Sequence, residues 1–168
     1  LEVKIAAPDG APLSQGETGE IHVRGYAVMR EYLDDAAGTA EAIDADGWLH
    51  TGDVGHMDKG GYVRITDRMK DMYISGGFNC YPAEVEKLLS EHPDIGMAAV
   101  IGFPDARMGE VGKAFIVPRP GANPTPDSII AWAREAMANY KVPRLVEIVD
   151  ALPLNAAGKV LKTELRGG

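Results

Sequence analysis

The sequence has almost no cysteine. Cys80 is the only one among 168 residues, so no disulfide can form within the chain. Proteins whose thiols stay reduced are typical of the cytosol, and we therefore expect a cytoplasmic protein. A single cysteine is more often a small buried hydrophobe than a nucleophile, so Cys80 is assigned to packing.

Long hydrophobic runs and an excess of positive charge are missing too. No apolar segment approaches the roughly 20 residues that a membrane-spanning helix needs, and no secretory signal pattern opens the chain. The formal net charge is −8, whereas nucleic-acid-binding surfaces carry a basic stripe. We therefore expect no transmembrane segment and no nucleic-acid partner. The 45% of hydrophobic residues indicates a globular protein.

An initiator methionine is also missing. The chain opens with the alternating pattern LEVKIA, which predicts a strand, and we expect an excised part of a longer protein. Further strands are predicted at 19–25, 47–54 and 62–65, where alternating residues are separated by turn chemistry. A short helical stretch is predicted at 28–33, before an acidic segment.

The second half of the sequence alternates between helical and strand patterns. Pro82 predicts a helix running to about Ser90, and Thr125 predicts the cap of a helix that ends near Ala138. Strands are predicted near 72–74, 95–103, 113–117 and 145–149. We therefore predict an α+β fold: a β-rich part (1–66), a hinge (67–71), and a small α/β domain (72–168) with a three-stranded sheet and flanking helices.

Five segments carry the functional pattern: 19–25 (GEIHVRG), 51–53 (TGD), 67–71 (DRMKD), 75–86 (SGGFNCYPAEVE) and 153–159 (PLNAAGK). Their order and spacing closely resemble the adenylate-forming family of acyl-CoA synthetases, aryl-CoA ligases, luciferases and peptide-synthetase adenylation domains. The resemblance runs along the whole chain and covers only the last part of such an enzyme. It implies that 1–66 ends a large AMP-binding domain and that 72–168 is the small mobile domain.

The resemblance implies an acid–thiol ligase that uses ATP, with Mg²⁺, and CoA. The expected reaction joins a carboxylic acid to AMP and then transfers the acyl group to the CoA thiol. The remaining N-terminal domain is an expected partner, because the family's phosphate-binding loop is not in this sequence. The chain alone is therefore expected to be inactive.

The resemblance also implies site residues on both sides of the boundary. Asp53 and Arg68 are expected to contact the ribose of ATP, and a carboxylate suits the two vicinal hydroxyls. Lys70 is the expected hinge residue, where backbone angles change as the small domain rotates. A pantetheine tunnel is expected at a glycine-rich turn, whose missing β-carbons leave room for a narrow arm (Ser75, Gly76 and Gly77).

Lys159 is the expected catalytic residue. A carboxylate attacking the α-phosphate brings two negative groups together, and a cation between them stabilises the transition state. The same exposed lysine is a candidate target for a lysine acetyltransferase, because acetylation would remove its charge.

Three features depart from the expected pattern or offer no chemistry. Lys162 stands where the family often has arginine, which weakens any bidentate contact there. Glu84 and Glu86 are interpreted as first-turn residues of a helix rather than as acid or base. The four histidines are scattered in sequence without metal-ligand spacing, so no metal site is expected.

Two alternative functions remain open. One is a peptide-synthetase adenylation domain that loads a carrier protein, and the other is a standalone non-catalytic module resembling the small domain. The acid is also open, because the residues of the acyl pocket lie outside this sequence: fatty, aromatic and sterol-side-chain acids all fit.

Overall fold

The computed structural model describes residues 1–167. The chain forms two compact units, and the division falls between Lys70 and Asp71. That division lies inside the segment predicted as a hinge; the hinge movement itself stays a prediction. Among residues 1–167, no helix is long and apolar enough to cross a membrane.

The first unit is an antiparallel meander of four strands. They are β1 (Glu2–Ala6), β2 (Thr18–Arg24), β3 (Leu49–Met57) and β4 (Val63–Arg68), in the sheet order β1-β2-β3-β4. Alternating side chains favour this arrangement, because a strand presents every second residue to the same face. Ile21 on β2 and Val54 on β3 are buried.

A short helix in the first unit corrects the predicted position of helical structure. The predicted stretch 28–33 is not helical, whereas α1 (Ala36–Ala42) lies within the acidic segment. Asp35 begins this helix, since its side chain accepts a 2.8 Å hydrogen bond from the Gly38 N–H, and side-chain acceptors stabilise exposed N–H groups at helix starts.

The second unit contains a mixed sheet with helices. Its elements, after a 3₁₀ turn at Met69–Asp71, are β5 (Tyr73–Ser75), β6 (Phe78–Cys80), α2 (Pro82–Leu89), β7 (Ile95–Asp105), β8 (Gly109–Pro118), α3 (Pro126–Ala136), β9 (Leu145–Ile148) and α4 (Lys162–Arg166). The order is β6-β5-β8-β7, and β9 pairs with β8 in parallel.

The α+β class is confirmed, but the predicted three-stranded sheet is wrong in its strand number. The three strands predicted for the sheet are present as β7, β8 and β9, and the short strand predicted near 72–74 is β5, which joins the same sheet together with β6. Only β6 was not predicted. It has three residues, which are too few alternating positions to be separated from a glycine-rich turn by pattern alone.

Local helix signals match the structure closely. Thr125 accepts a hydrogen bond from the Ser128 N–H, and Ser128 Oγ accepts one from the Thr125 N–H. This reciprocal pair satisfies two N–H groups that the helix itself leaves without partners. Pro82 lies at the first turn of α2, where its missing N–H costs nothing.

Two hydrophobic clusters form the core of the second unit. The larger packs α2 and α3 against the sheet around Leu89, Ile116 and Ile129. The smaller lies around Ile101 and Phe115. Cys80 is fully buried beside the larger cluster, and burial raises the pKa of its thiol. Its predicted burial is therefore confirmed.

Candidate functional site

Asp53 and Arg68 form one polar pair in the first unit. They are cross-strand partners on β3 and β4, and Arg68 Nε lies 3.0 Å from Asp53 Oδ1. The side chain of Arg68 is 58% exposed, and that of Asp53 is 25% exposed. A carboxylate and a guanidinium held together at the surface can accept from and donate to the same polar ligand.

The TGD segment lies at a bulge inside β3, which runs to Met57 rather than ending near residue 54 as predicted. On β2 and β3, Glu20 pairs with Val54 and His22 pairs with His50. Three residues of β3 (51–53) therefore lie opposite a single residue of β2, Ile21. Gly52 has φ +70°, which glycine adopts without strain. Bulges redirect side chains, and this one determines the direction of Asp53.

Side chains on β2 and β3 stabilise this bulge. Thr51 Oγ1 donates to the Ile21 carbonyl at 2.7 Å and accepts from the Asp53 N–H at 3.1 Å. The Gly52 N–H donates to Glu20 Oε1 at 3.0 Å. The backbone around Asp53 is therefore held from both sides.

The segment predicted as a hinge ends β4 and forms the 3₁₀ turn. Asp67 is buried, and its Oδ1 accepts from the Arg68 N–H at 2.7 Å. Lys70 is exposed and lies at the division between the two units. A short 3₁₀ turn has weaker hydrogen-bond geometry than an α-helix, which suits a place where dihedral angles change.

The glycine-rich turn connects β5 and β6. Ser75 and Phe78 are cross-strand partners, and the two central residues have φ +58° (Gly76) and +87° (Gly77). Hairpins prefer a two-residue turn with two positive φ angles, because its twist matches that of the strands.

The two glycines differ in their surroundings. A β-carbon on Gly77 would meet nothing within 4 Å, whereas one on Gly76 would lie 2.5 Å from Met108 Cε. Ser75 is only 3% exposed. Of the two glycines of this turn, Gly77 is thus the one with open space around it, as judged from the second unit.

Lys159 lies in a hydrogen-bonded hairpin, residues 153–161, rather than in a loose loop. The Asn155 N–H donates to the Lys159 carbonyl at 2.8 Å, and the Gly158 N–H donates to the Asn155 carbonyl at 2.9 Å. Asn155 Oδ1 accepts from the N–H groups of Ala157 and Lys159, both at 2.9 Å. The backbone of Lys159 is therefore fixed while its side chain is exposed to solvent.

Two ion pairs connect the segment after Lys159 to the rest of the second unit. Lys162 Nζ lies 2.8 Å from Glu86 Oε1, and Arg166 Nη2 lies 3.1 Å from Asp71 Oδ1. Glu86 Oε1 also accepts from the Val100 N–H. Lys162, which departs from the family pattern, therefore has a structural partner.

The interpretation of the two glutamates needs one correction. Glu84 does lie in the first turn of α2, where its carboxylate pairs with Lys141. Burial of Lys141 opposes its charge, yet the hydrogen bond to Glu84 leaves the pKa of Lys141 raised. Glu86 lies beyond the first turn and contacts β7 and Lys162 instead.

The structure brings together a side-chain cluster that sequence reasoning did not find: Glu20, His22 and His50. Glu20 Oε2 lies 3.0 Å from His22 Nε2 and 3.5 Å from His50 Nδ1. Two of the four histidines, which are scattered in sequence, are therefore neighbours in space. The i, i+2 spacing of Glu20 and His22 in a predicted strand was an available signal.

Comparison with known sequences finds relatives that are named as CoA ligases and CoA synthases. Residues 84–159 match the family described as the AMP-binding enzyme C-terminal domain. The chain is 58% identical over 157 residues to a (methyl-dioxo-octahydroindenyl)propanoyl:CoA ligase of Rhodococcus jostii (strain RHA1), covering 94% of this chain and 30% of that protein. It is 50% identical over 165 residues to a feruloyl-CoA synthase of an Amycolatopsis species, and this match covers 98% of this chain and 33% of that protein.

Solved structures of similar fold also match nearly all of this chain over about a third of their own length. The ATP-bound MatB of Rhodopseudomonas palustris matches with TM-score 0.92 and 36% identity, over 99% of this chain and 33% of that one. The amide bond synthetase McbA of Marinactinospora thermotolerans matches with TM-score 0.88 and 40% identity, over 99% and 34%. The chain spans about a third of the length of the relatives it matches.

Proposed function

The chain belongs to the adenylate-forming AMP-binding enzymes, as their C-terminal part, and we propose that the full-length protein is an ATP-dependent carboxylic acid–CoA ligase. One observation carries this proposal: each of the two units presents charged side chains of the kind that the reaction needs. Asp53 and Arg68 form a pair in the first unit, and Lys159 projects from a fixed hairpin in the second.

The first half-reaction forms an acyl-adenylate. A carboxylate oxygen of the acid attacks the α-phosphorus of MgATP, and the bond to the β-phosphate breaks to release pyrophosphate. Asp53 accepts hydrogen bonds from the ribose hydroxyls, and Arg68 donates to the ribose. The ammonium group of Lys159 lies between the acid and the phosphate, where it offsets their repulsion.

The second half-reaction transfers the acyl group to CoA. The second unit rotates about Lys70, which withdraws Lys159 and brings the turn of Ser75, Gly76 and Gly77 to the site. The CoA thiolate then attacks the acyl carbonyl, and AMP leaves with the electrons of the acyl–phosphate bond. Open space around Gly77 supports this role, since a narrow pantetheine arm needs close approach to backbone.

The remaining partners follow from this reaction. The N-terminal part of the full-length protein supplies the acyl pocket and the phosphate-binding loop, so the 168-residue chain is inactive alone. The relatives with 58% and 56% identity are named for a fused-ring propanoyl substrate. A fused-ring propanoate is therefore the first acid to test, before ferulate and fatty acids.

Exposure of the Lys159 side chain also supports control by acetylation. An acetyl group would cancel the charge on which the first half-reaction depends. The enzyme would reside in the cytoplasm, where acetyl donors and CoA are available to it.

Lys159→Ala in the full-length protein tests the proposal directly. We expect the rate of adenylate formation, measured as pyrophosphate release, to fall by about a hundredfold or more, because one stabilising cation is lost. Thioesterification of supplied acyl-adenylate should stay within about twofold, because Lys159 is withdrawn in that step.

Lys87→Ala is the matched control, because Lys87 is an exposed lysine of the same unit. It should leave both half-reactions unchanged. Equal losses in the two half-reactions of Lys159→Ala would contradict the separate roles of the two units, and unchanged rates would contradict the ligase mechanism.

A further inference from the structure

One face of the first sheet carries a set of ligand-type side chains that the ligase reaction does not use. Glu20 and His22 are at positions i and i+2 of β2, so they lie on the same face. His50 is the cross-strand partner of His22 on β3, and partners of this kind have neighbouring β-carbons. We propose that Glu20, His22 and His50 bind a divalent transition-metal ion, with zinc the best match.

The distances fit a tetrahedral ion. Metal–ligand bonds of about 2.0–2.2 Å place neighbouring ligand atoms about 3.4 Å apart in a tetrahedron. Glu20 Oε2 lies 3.0 Å from His22 Nε2 and 3.5 Å from His50 Nδ1. One ligand atom from each of the three residues lies within 4.8 Å of the others. Small side-chain rotations are sufficient to bring all three onto one ion.

Outer groups lie behind two of the three ligands, and one of them is hydrogen-bonded to its ligand. Glu20 uses its second oxygen, Oε1, to accept from the Gly52 N–H at 3.0 Å. The second ring nitrogen of His50, Nε2, lies 3.8 Å from Asp44 Oδ2. Asp44 is itself fixed, because its Oδ1 accepts from the N–H groups of Asp46 and Trp48. A carboxylate behind a ligating histidine is the usual arrangement in zinc sites.

His22 is the most deeply buried of the three proposed ligands. Its side chain is only 2% exposed, and its Nδ1 is buried without a hydrogen-bond partner among residues 1–167. Nδ1 lies across the ring from Nε2, the proposed ligand atom, so the ion does not reach it and it needs a partner of its own, such as a buried water.

The local charge also favours a dication. Two carboxylates, Glu20 and Asp44, lie beside the histidines. Lys4 pairs with His22 across β1 and β2, but its ammonium group donates to the Gly10 carbonyl and lies over the Trp48 ring. Arg24 also lies over the Trp48 ring, but it is paired with Glu2, so Glu20 and Asp44 against Lys4 leave this face with a net negative charge.

The donor types select among metals. Imidazole nitrogens suit zinc and its transition-metal neighbours, whereas magnesium and calcium prefer sites made of oxygen alone. Three protein ligands leave the fourth position to water. Since Glu20 also holds the Gly52 N–H, the bound ion would stiffen the bulge that carries Asp53.

Cobalt titration of the untagged 168-residue chain tests the site, because Co²⁺ replaces Zn²⁺ in tetrahedral sites and its d–d bands report the geometry. We expect visible bands that saturate at one ion per chain and disappear when Zn²⁺ is added. His50→Ala should weaken binding by at least about a hundredfold, more than the roughly 10- to 100-fold cost of losing an outer partner. His50 is partly exposed, so this variant should fold.

His56→Ala is the matched control, because His56 lies on the same strand but outside the cluster. It should bind Co²⁺ like the unchanged chain. Glu20→Gln is the second variant: its amide oxygen still accepts from the Gly52 N–H, but the ligating charge is lost. We expect at least about tenfold weaker binding with unchanged circular dichroism.

No tetrahedral band at saturating Co²⁺ would overturn the proposal. So would binding that is equal in the unchanged chain, His50→Ala and Glu20→Gln, since the ion would then lie elsewhere on the surface. Neither result depends on ligase activity, so a failure of the metal site is separable from a failure of the proposed reaction.

Discussion

The two units bury very different amounts of hydrophobic side chain. Sixteen of the twenty buried hydrophobic residues found among residues 1–167 lie in the second unit, and four lie in the first. Both units expose some large apolar side chains, but the two most exposed among residues 1–167 lie in the first unit: Tyr26 (92%) and Leu33 (90%). Hydrophobic burial is the main favourable term in folding. The second unit therefore has its own core, whereas the first depends on sheet hydrogen bonds and polar contacts.

The largest expected effect comes from removing one core side chain from each unit in turn. Leu89→Ala should lower the free energy of unfolding of the second unit by about 2–5 kcal/mol, because a fully buried leucine leaves a cavity. Ile21→Ala should act on the first unit alone. Amide hydrogen exchange on the 168-residue chain measures the two units separately.

The contrast between the two units is contradicted if Leu89→Ala and Ile21→Ala each speed amide hydrogen exchange equally in both units. That result would mean that residues 1–70 and the second unit unfold as one cooperative body. The first unit should also show the faster exchange in the unchanged chain, since it has fewer buried side chains.

The sequence predicted the features that depend on local chemistry. Thr125 marks a helix start through hydrogen bonds made within four residues, and Pro82 marks one through its fixed φ angle at the first helical position. Gly76 and Gly77 allow a tight turn because both φ angles are positive. Such signals are readable because the interacting groups are neighbours in the chain.

Features that depend on pairing between distant strands were not predicted. The position of Asp53 in a bulge follows from the register of β2 against β3, and a register cannot be read from one strand. The cluster of His22 and His50 has the same origin. The helix at 36–42 was missed because it buries no residue and so has no hydrophobic face to detect.

A smaller effect is expected at the hairpin that carries Lys159. Asn155→Ala removes the side-chain oxygen that accepts from the Ala157 and Lys159 N–H groups. Both N–H groups are near solvent, so we expect about 1–1.5 kcal/mol of local destabilisation. Adenylate formation by the full-length protein should fall about tenfold, which corresponds to 1.4 kcal/mol.

Asn155→Asp is the matched control, because its carboxylate can still accept both hydrogen bonds. This variant should keep slow hydrogen exchange at the Lys159 amide and most of the rate of adenylate formation. If Asn155→Ala speeds exchange at this amide but leaves adenylation unchanged, the position of the Lys159 backbone does not limit the reaction.

The smallest effect on folding is expected at Arg68 in the first unit. Its pair with Asp53 is largely exposed, and exposed ion pairs contribute about 0.2–1 kcal/mol. Arg68→Ala should therefore change the free energy of unfolding of residues 1–70 by less than about 1 kcal/mol. The proposed ribose contact is a charged hydrogen bond, so its loss should raise the KM for ATP about tenfold or more.

Arg68→Lys separates charge from geometry, because lysine keeps the positive charge but lacks the planar fork. An intermediate KM for ATP with unchanged stability would support a directional contact to the ribose. A loss of stability with an unchanged KM would instead make Arg68 a structural partner of Asp53. In that case the contrast between the units would extend to their polar residues: the first unit would use Arg68 to hold its sheet, and the ribose contact would rest on Asp53 alone.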